Sequence, residues 1–167
     1  MPHNESELIA ANRAQYASEV DDFTEERYAQ FFRHLPPDAV SVLDVGCNTG
    51  RGGAVLKRLA PALQIDGLDC VPERLNAVQD QIYDRRICSF SHLIDTEAGF
   101  YDAIVAGVLL DPSHVMQHYP ERLRKRLMDV GFSDVTILGS GRVSRRLGER
   151  FPILPVYGSY LILATKW

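Results

Sequence analysis

The sequence predicts an α/β fold in which a mostly parallel sheet lies between layers of helices. Three observations predict it. Short apolar runs alternate with helical segments from Val40 onward. The runs are apolar almost without interruption, as strands buried on both faces are. One helix opens in glycines directly after a strand, at Gly46 to Gly52. Strands ordered this way need crossover connections, and these are right-handed.

Each element follows in order. Residues Ser6 to Leu35 read helical: Phe23, Tyr28, Phe31 and Phe32 recur at helical spacing, and Asp22 or Thr24 can cap a helix over Glu25 to His34. Pro36 and Pro37 end it. Val40 to Val45 is an apolar run bounded by turn residues, hence a buried first strand. A helix over Gly50 to Leu59 and a second strand over Gln64 to Leu68 follow. Pro72 sits at a first helical turn, with Leu75 and Val78 as its apolar face. Arg86 to Phe90 is the third strand and Tyr101 to Gly107 the fourth. Pro120 to Val130 is a helix with Leu123 and Leu127 inside, closed by Gly131. Ser133 to Leu138 and Ser159 to Thr165 are the closing strands.

Composition excludes several classes. A chain of 167 residues is one domain by length. It divides by pattern into an N-terminal helical lid (1–36), a ligand-binding half (37–107) and an acceptor-side half (108–167). No apolar run is long enough to span a membrane, and the polar, acidic start carries no secretory signal, so a cytoplasmic protein with no membrane partner is expected. Cys47, Cys70 and Cys88 lie far apart without paired spacing, which predicts reduced, buried thiols and no metal site. The net charge of −4 argues against a nucleic-acid partner. The charge is uneven: residues 1–119 carry −9, whereas residues 120–150 carry +4. That basic stretch either faces an anionic small-molecule acceptor or is a solvated surface.

The segment Val42-Leu-Asp-Val-Gly-Cys-Asn-Thr-Gly-Arg-Gly52 ends a strand and opens a helix. Glycines at 46, 50 and 52 let the backbone approach a ligand where a Cβ would clash. The helix start presents free N–H groups. Asp69, at the end of the next strand, can accept both hydroxyls of a ribose. A dinucleotide fingerprint starting at Gly50 and Gly52 needs a third glycine at position 55, which is Val55. Asp44 would also repel a pyrophosphate and suits a cationic group instead.

Leu43-Asp-Val-Gly-Cys-x-x-Gly50 resembles motif I of class I methyltransferases, Leu68-Asp69 their second acidic motif, and Phe100 to Gly107 their fourth strand. The resemblance covers Tyr16 to about Gly107, and Ser113 to Trp167 less closely. It implies a three-layer Rossmann-like sheet, mostly parallel with an antiparallel C-terminal strand. It implies an S-adenosylmethionine-dependent methyltransferase of the small-molecule or sugar type, acting on an oxygen or nitrogen. By the same resemblance Asp44 and Gly46 meet the methionine part of S-adenosylmethionine, with Cys47, Asn48 and Gly50 completing the loop. Asp69, with Cys70 beside it, meets the ribose. Ser89 and Phe90 line the adenine, where many relatives carry an acid that this sequence lacks. Tyr16 belongs to the lid. Two alternatives are a non-catalytic methyltransferase-like cofactor-binding protein and a nicotinamide oxidoreductase.

Methyl transfer needs alignment and exclusion of water more than covalent help. His114 and His118, four apart, are the candidates for acceptor binding or a general base; metal binding with Asp111 and capping of the following helix are the other readings. Arg142, Arg145 and Arg146 follow a glycine-containing turn and can hold an anionic acceptor group, or are solvated.

The sequence departs from the family after the fourth strand. There the family places a helix and a fifth strand, whereas Gly107 runs directly into Val108-Leu-Leu-Asp111. The fifth strand and its helix are therefore absent. Three readings are open: a segment is left out between Gly107 and Leu110, which predicts a wide Cα separation there; the fold is shortened and the fourth and last strands pair directly; or Val108 to Leu110 substitutes as a very short strand.

Overall fold

The computed structural model describes residues 6, 7, 9, 10, 13, 24–90, 100–106, 124, 125, 128, 129, 134–140, 146–150 and 159–165. The chain divides into two compact units, Met1–Gly107 and Val108–Trp167.

The first unit holds α1 (Thr24–His34), β1 (Ser41–Val45), α2 (Arg51–Leu59), β2 (Gln64–Asp69), α3 (Pro72–Asn76), β3 (Arg85–Cys88) and β4 (Ala103–Val105). The strands form one parallel sheet in the order β3-β2-β1-β4. Only crossovers can join parallel neighbours, and the strand–helix alternation supplies them. The core explains the order. Val42, Leu43, Val45, Ile65 and Leu68 are buried on the two central strands. On one face Leu43, Val45 and Leu68 form a cluster joined by Ile87, Tyr101 and Ala106. On the other lie Asp44 of β1 and Gly67 of β2, register partners on adjacent strands.

Two strands are shorter than the apolar pattern suggests. The fourth was expected from Tyr101 but begins at Ala103, because Asp102 turns its side chain back on the start of β1. Its Oδ2 accepts from Val40 N (2.9 Å), Ser41 N (2.9 Å) and Ser41 Oγ (2.8 Å). The third ends at Cys88 rather than Phe90 and is largely exposed, as an edge strand is. This corrects the expectation that all three thiols are buried: Cys47 is, Cys70 is half-buried and Cys88 is exposed.

In the second unit β5 (Asp134–Ser140) pairs with β6 (Ser159–Thr165) as an antiparallel ladder, Asp134 opposite Thr165 and Ser140 opposite Ser159. The last strand is thus antiparallel to its neighbour and, among the described residues, pairs with it alone. Among the described residues β4 pairs with β1 alone. The join at Gly107 to Leu110 lies outside the described residues, as do most of the helix expected over Pro120 to Val130 and Gly131. Residues 124, 125, 128 and 129 are helical. No described helix is long and apolar enough to cross a membrane.

Candidate functional site

The loop between β1 and α2 is built by backbone geometry that few residues adopt. Gly46 (φ 70°), Asn48 (φ 51°) and Gly50 (φ 83°) all lie in the left-handed region. Glycine takes this at no steric cost, and Asn is the side chain that best tolerates it. Three successive amides are drawn down onto the end of β2. Gly46 N and Cys47 N both donate to Leu68 O, at 2.8 and 3.0 Å. Asn48 N donates to Asp69 Oδ2 at 3.0 Å. Gly50 N then closes a turn on Cys47 O and leads into α2.

The glycines do different work from one another. The sequence pattern assigned 46, 50 and 52 alike to ligand approach, and the structure corrects this. Among the described residues, a Cβ on Gly46 would meet nothing within 4 Å. A Cβ on Gly50 would lie 2.9 Å from Val78 Cγ1. At Gly52 it would lie 2.0 Å from the Tyr28 ring, and at Gly53 and Gly67 it would meet Tyr83 at 2.4 and 2.6 Å. Three glycines therefore make slots for two tyrosine rings.

Those rings explain Asp44. A carboxylate inside an apolar strand must find donors when it is buried. Asp44 is fully buried, and Tyr28 Oη donates to its Oδ1 while Tyr83 Oη donates to its Oδ2, both at 2.7 Å. Burial pushes the Asp44 pKa up to about 6; the two phenol hydrogen bonds pull against burial, and the charge of Asp69 adds to it. Burial, then the charge of Asp44, holds both phenols above their usual range. Cys47 is buried beside both carboxylates, and burial first, then those charges, raises its thiol; the Cys70 thiol is raised by burial and by Asp69.

Asp69 is also buried, and its oxygens are oriented by the backbone: Oδ2 by Asn48 N and Oδ1 by Val71 N at 2.9 Å. Each carboxylate oxygen keeps acceptor capacity beyond one amide. Ser89 N donates to Asp69 O at 3.2 Å, which brings the half-buried Ser89 and Phe90 to the same end of the sheet.

The structure thus gathers Asp44, Gly46, Cys47, Asn48, Gly50, Asp69, Cys70, Ser89 and Phe90 at the C-terminal ends of β1, β2 and β3. In open α/β sheets this is where ligands bind. Tyr16, His114, His118, Arg142 and Arg145 lie outside the described residues. Arg146 is exposed in the second unit. Sequence reasoning missed Tyr28 and Tyr83. The available signal was the strand-interior Asp44, which needs donors, together with glycines on the elements around it.

Comparison with known proteins yields a curated relative. Over 125 residues the chain is 27% identical to the mitochondrial ubiquinone biosynthesis O-methyltransferase of Mus musculus, covering 70% of this chain and 33% of that protein. The chain is similar to S-adenosylmethionine-dependent methyltransferases. It spans about a third of the length of that curated relative. No family model matches. Among solved structures, a TehB-like SAM-dependent methyltransferase from Corynebacterium glutamicum aligns over 98% of both chains, with 18% identity and a TM-score of 0.45. An amino pentose methyltransferase from Micromonospora echinaspora, solved with SAM bound, aligns over 85% of this chain and 58% of its own, with 20% identity and a TM-score of 0.45.

Proposed function

We propose that the chain binds S-adenosylmethionine at the β1–α2 loop and transfers its methyl group to an oxygen or nitrogen of a small-molecule or sugar-like acceptor. One observation carries the reading: a left-handed Gly46, which no described side chain crowds, stands at the same sheet end as a buried, amide-oriented Asp69. The residues present fit the cofactor. Gly46 offers backbone without side-chain obstruction, and Asp69 offers two oriented acceptors for a ribose diol. Ser89 and Phe90 lie where an adenine would extend. When bound, the cofactor supplies a sulfonium-activated methyl group. The protein's share is to hold the reactants in line and keep water away.

Calorimetric titration with S-adenosylhomocysteine tests this, with NADH as the control ligand. Binding of the first and not the second is expected. No binding of S-adenosylhomocysteine at high micromolar concentration would overturn the proposal.

Acceptor recognition is proposed to lie in the second unit, with His114 and His118 as the acid–base candidates and Arg142, Arg145 and Arg146 meeting an anionic group. Changing the three arginines together to Ala is expected to raise the acceptor KM about tenfold or more, at one charge-assisted hydrogen bond or better lost, while kcat stays within about twofold. Steady-state kinetics in the acceptor decides it, and an unaltered KM would leave the arginines as solvated surface.

A further inference from the structure

Asp44 is the residue whose role the site does not explain as the motif suggests. An acid there is expected to face the ligand, yet its side chain is fully buried and each oxygen is held by a phenol. The phenols come from two separate places. Tyr28 belongs to α1, and Tyr83 to the segment just before β3. Each ring is 7% exposed or less and fills a slot bounded by glycine: Gly52 for Tyr28, Gly53 and Gly67 for Tyr83. The strand that carries Asp44 runs on through Val45 into Gly46. Whatever moves the carboxylate therefore moves the loop.

We propose that Asp44 is a positioning residue whose carboxylate ties Tyr28 of α1 and Tyr83 to the underside of the Gly46–Gly50 loop, so that docking of α1 and binding of ligand at the loop are one linked event. The proposal rests on the cofactor reading given above and adds to it. Linkage is reciprocal: if docked α1 favours the ligand-ready loop, ligand must favour docked α1 by the same factor. Among the described residues, the groups that bear on Asp44 are Tyr28 from α1, Tyr83, Asp69 at the end of β2 and Cys47 on the loop, with Arg27 of α1 acting on Tyr28. Both phenol hydrogen bonds favour the ionised carboxylate.

The test uses the whole chain and two conservative variants, Tyr28→Phe and Tyr83→Phe. Each keeps its ring in the glycine slot and loses only the hydroxyl. In the unaltered chain, S-adenosylhomocysteine is expected to slow amide exchange along Thr24–His34, although those residues carry none of the proposed ligand contacts. Its affinity should fall as pH drops through about 6, where Asp44 takes up a proton. Tyr28→Phe should weaken binding about tenfold, the scale of one hydrogen bond to a charged group. It should also move the pH midpoint upward, because a donor that favoured the anion is gone. A ring acting by packing alone would leave that midpoint in place. Tyr83→Phe should move the midpoint the same way. Unchanged exchange in α1 on adding S-adenosylhomocysteine, or unchanged affinity and midpoint in both variants, overturns the linkage while leaving the cofactor reading intact. Failure of the unaltered chain to bind overturns both.

Discussion

Gly52→Ala is expected to destabilise the protein by about 3 kcal/mol, the sum of overpacking and one buried carboxylate oxygen left without its donor, less a helix-propensity gain of about 1 kcal/mol. The substitution places a Cβ 2.0 Å from the Tyr28 ring, so the ring must move. The ring is 4% exposed and packs edge-on against Phe31 at 5.2 Å between centroids, so it cannot shift sideways without disturbing α1. If it leaves the slot, Asp44 Oδ1 loses its 2.7 Å donor in a site water does not reach. By helix propensity alone the same change should stabilise α2, which makes the sign of the effect diagnostic. Urea unfolding followed by circular dichroism measures it. A midpoint equal to or above that of the unaltered chain would show that Tyr28 does not occupy the slot.

Asp69→Ala is expected to weaken S-adenosylhomocysteine binding about 100-fold, as two hydrogen bonds to a charged acceptor disappear. Part of the loss is indirect. Asn48 N and Val71 N donate to this carboxylate, so its removal frees the loop and the start of α3 together. Asp69→Asn is the milder probe. It keeps the shape and one acceptor oxygen, and turns the other position into a donor that faces an amide. A loss of similar size in both variants would show that both oxygens must accept; a small loss in Asn and a large one in Ala would show that one acceptor and the side chain's shape suffice. Binding unaffected by either variant would remove Asp69 from the site.

Much of the first unit was legible because its cues are local. Apolar runs at Val42 to Val45 and Ile65 to Leu68, a proline at the first turn of α3, and a glycine-led helix start each act over a few residues. The loop was legible for the same reason: left-handed backbone at Gly46 and Gly50 leaves a trace in composition. The boundaries of β3 and β4 were not. Asp102 reads as one more residue of an apolar strand, and only the fold reveals that it caps the start of β1, 61 positions away. The tyrosine pair was illegible in the same way. Tyr28 recurs at helical spacing as any core aromatic does, and its hydroxyl reaches a carboxylate 16 positions on. Tyr83 lies in a turn-rich stretch with no periodicity, and its partner is 39 positions back. Long-range polar pairing is encoded by topology, which no window of sequence contains.

Among the described residues, the donors that hold Asp44 and Asp69 are two phenols and two backbone amides, all of them neutral. Their dipoles orient the carboxylates without cancelling the charge. On the proposed reading this bears on product release. Methyl transfer turns a sulfonium into an uncharged thioether, and so removes the ligand's attraction to the field of the two acids at the moment the reaction is complete. Neutralising one acid should weaken the charged form more than the spent one. Asp44→Asn is therefore expected to lower affinity for S-adenosylmethionine by a larger factor than affinity for S-adenosylhomocysteine, both read by calorimetry at pH 7.5. An equal loss for the two would mean that the buried charge plays no part in clearing the site for the next turnover.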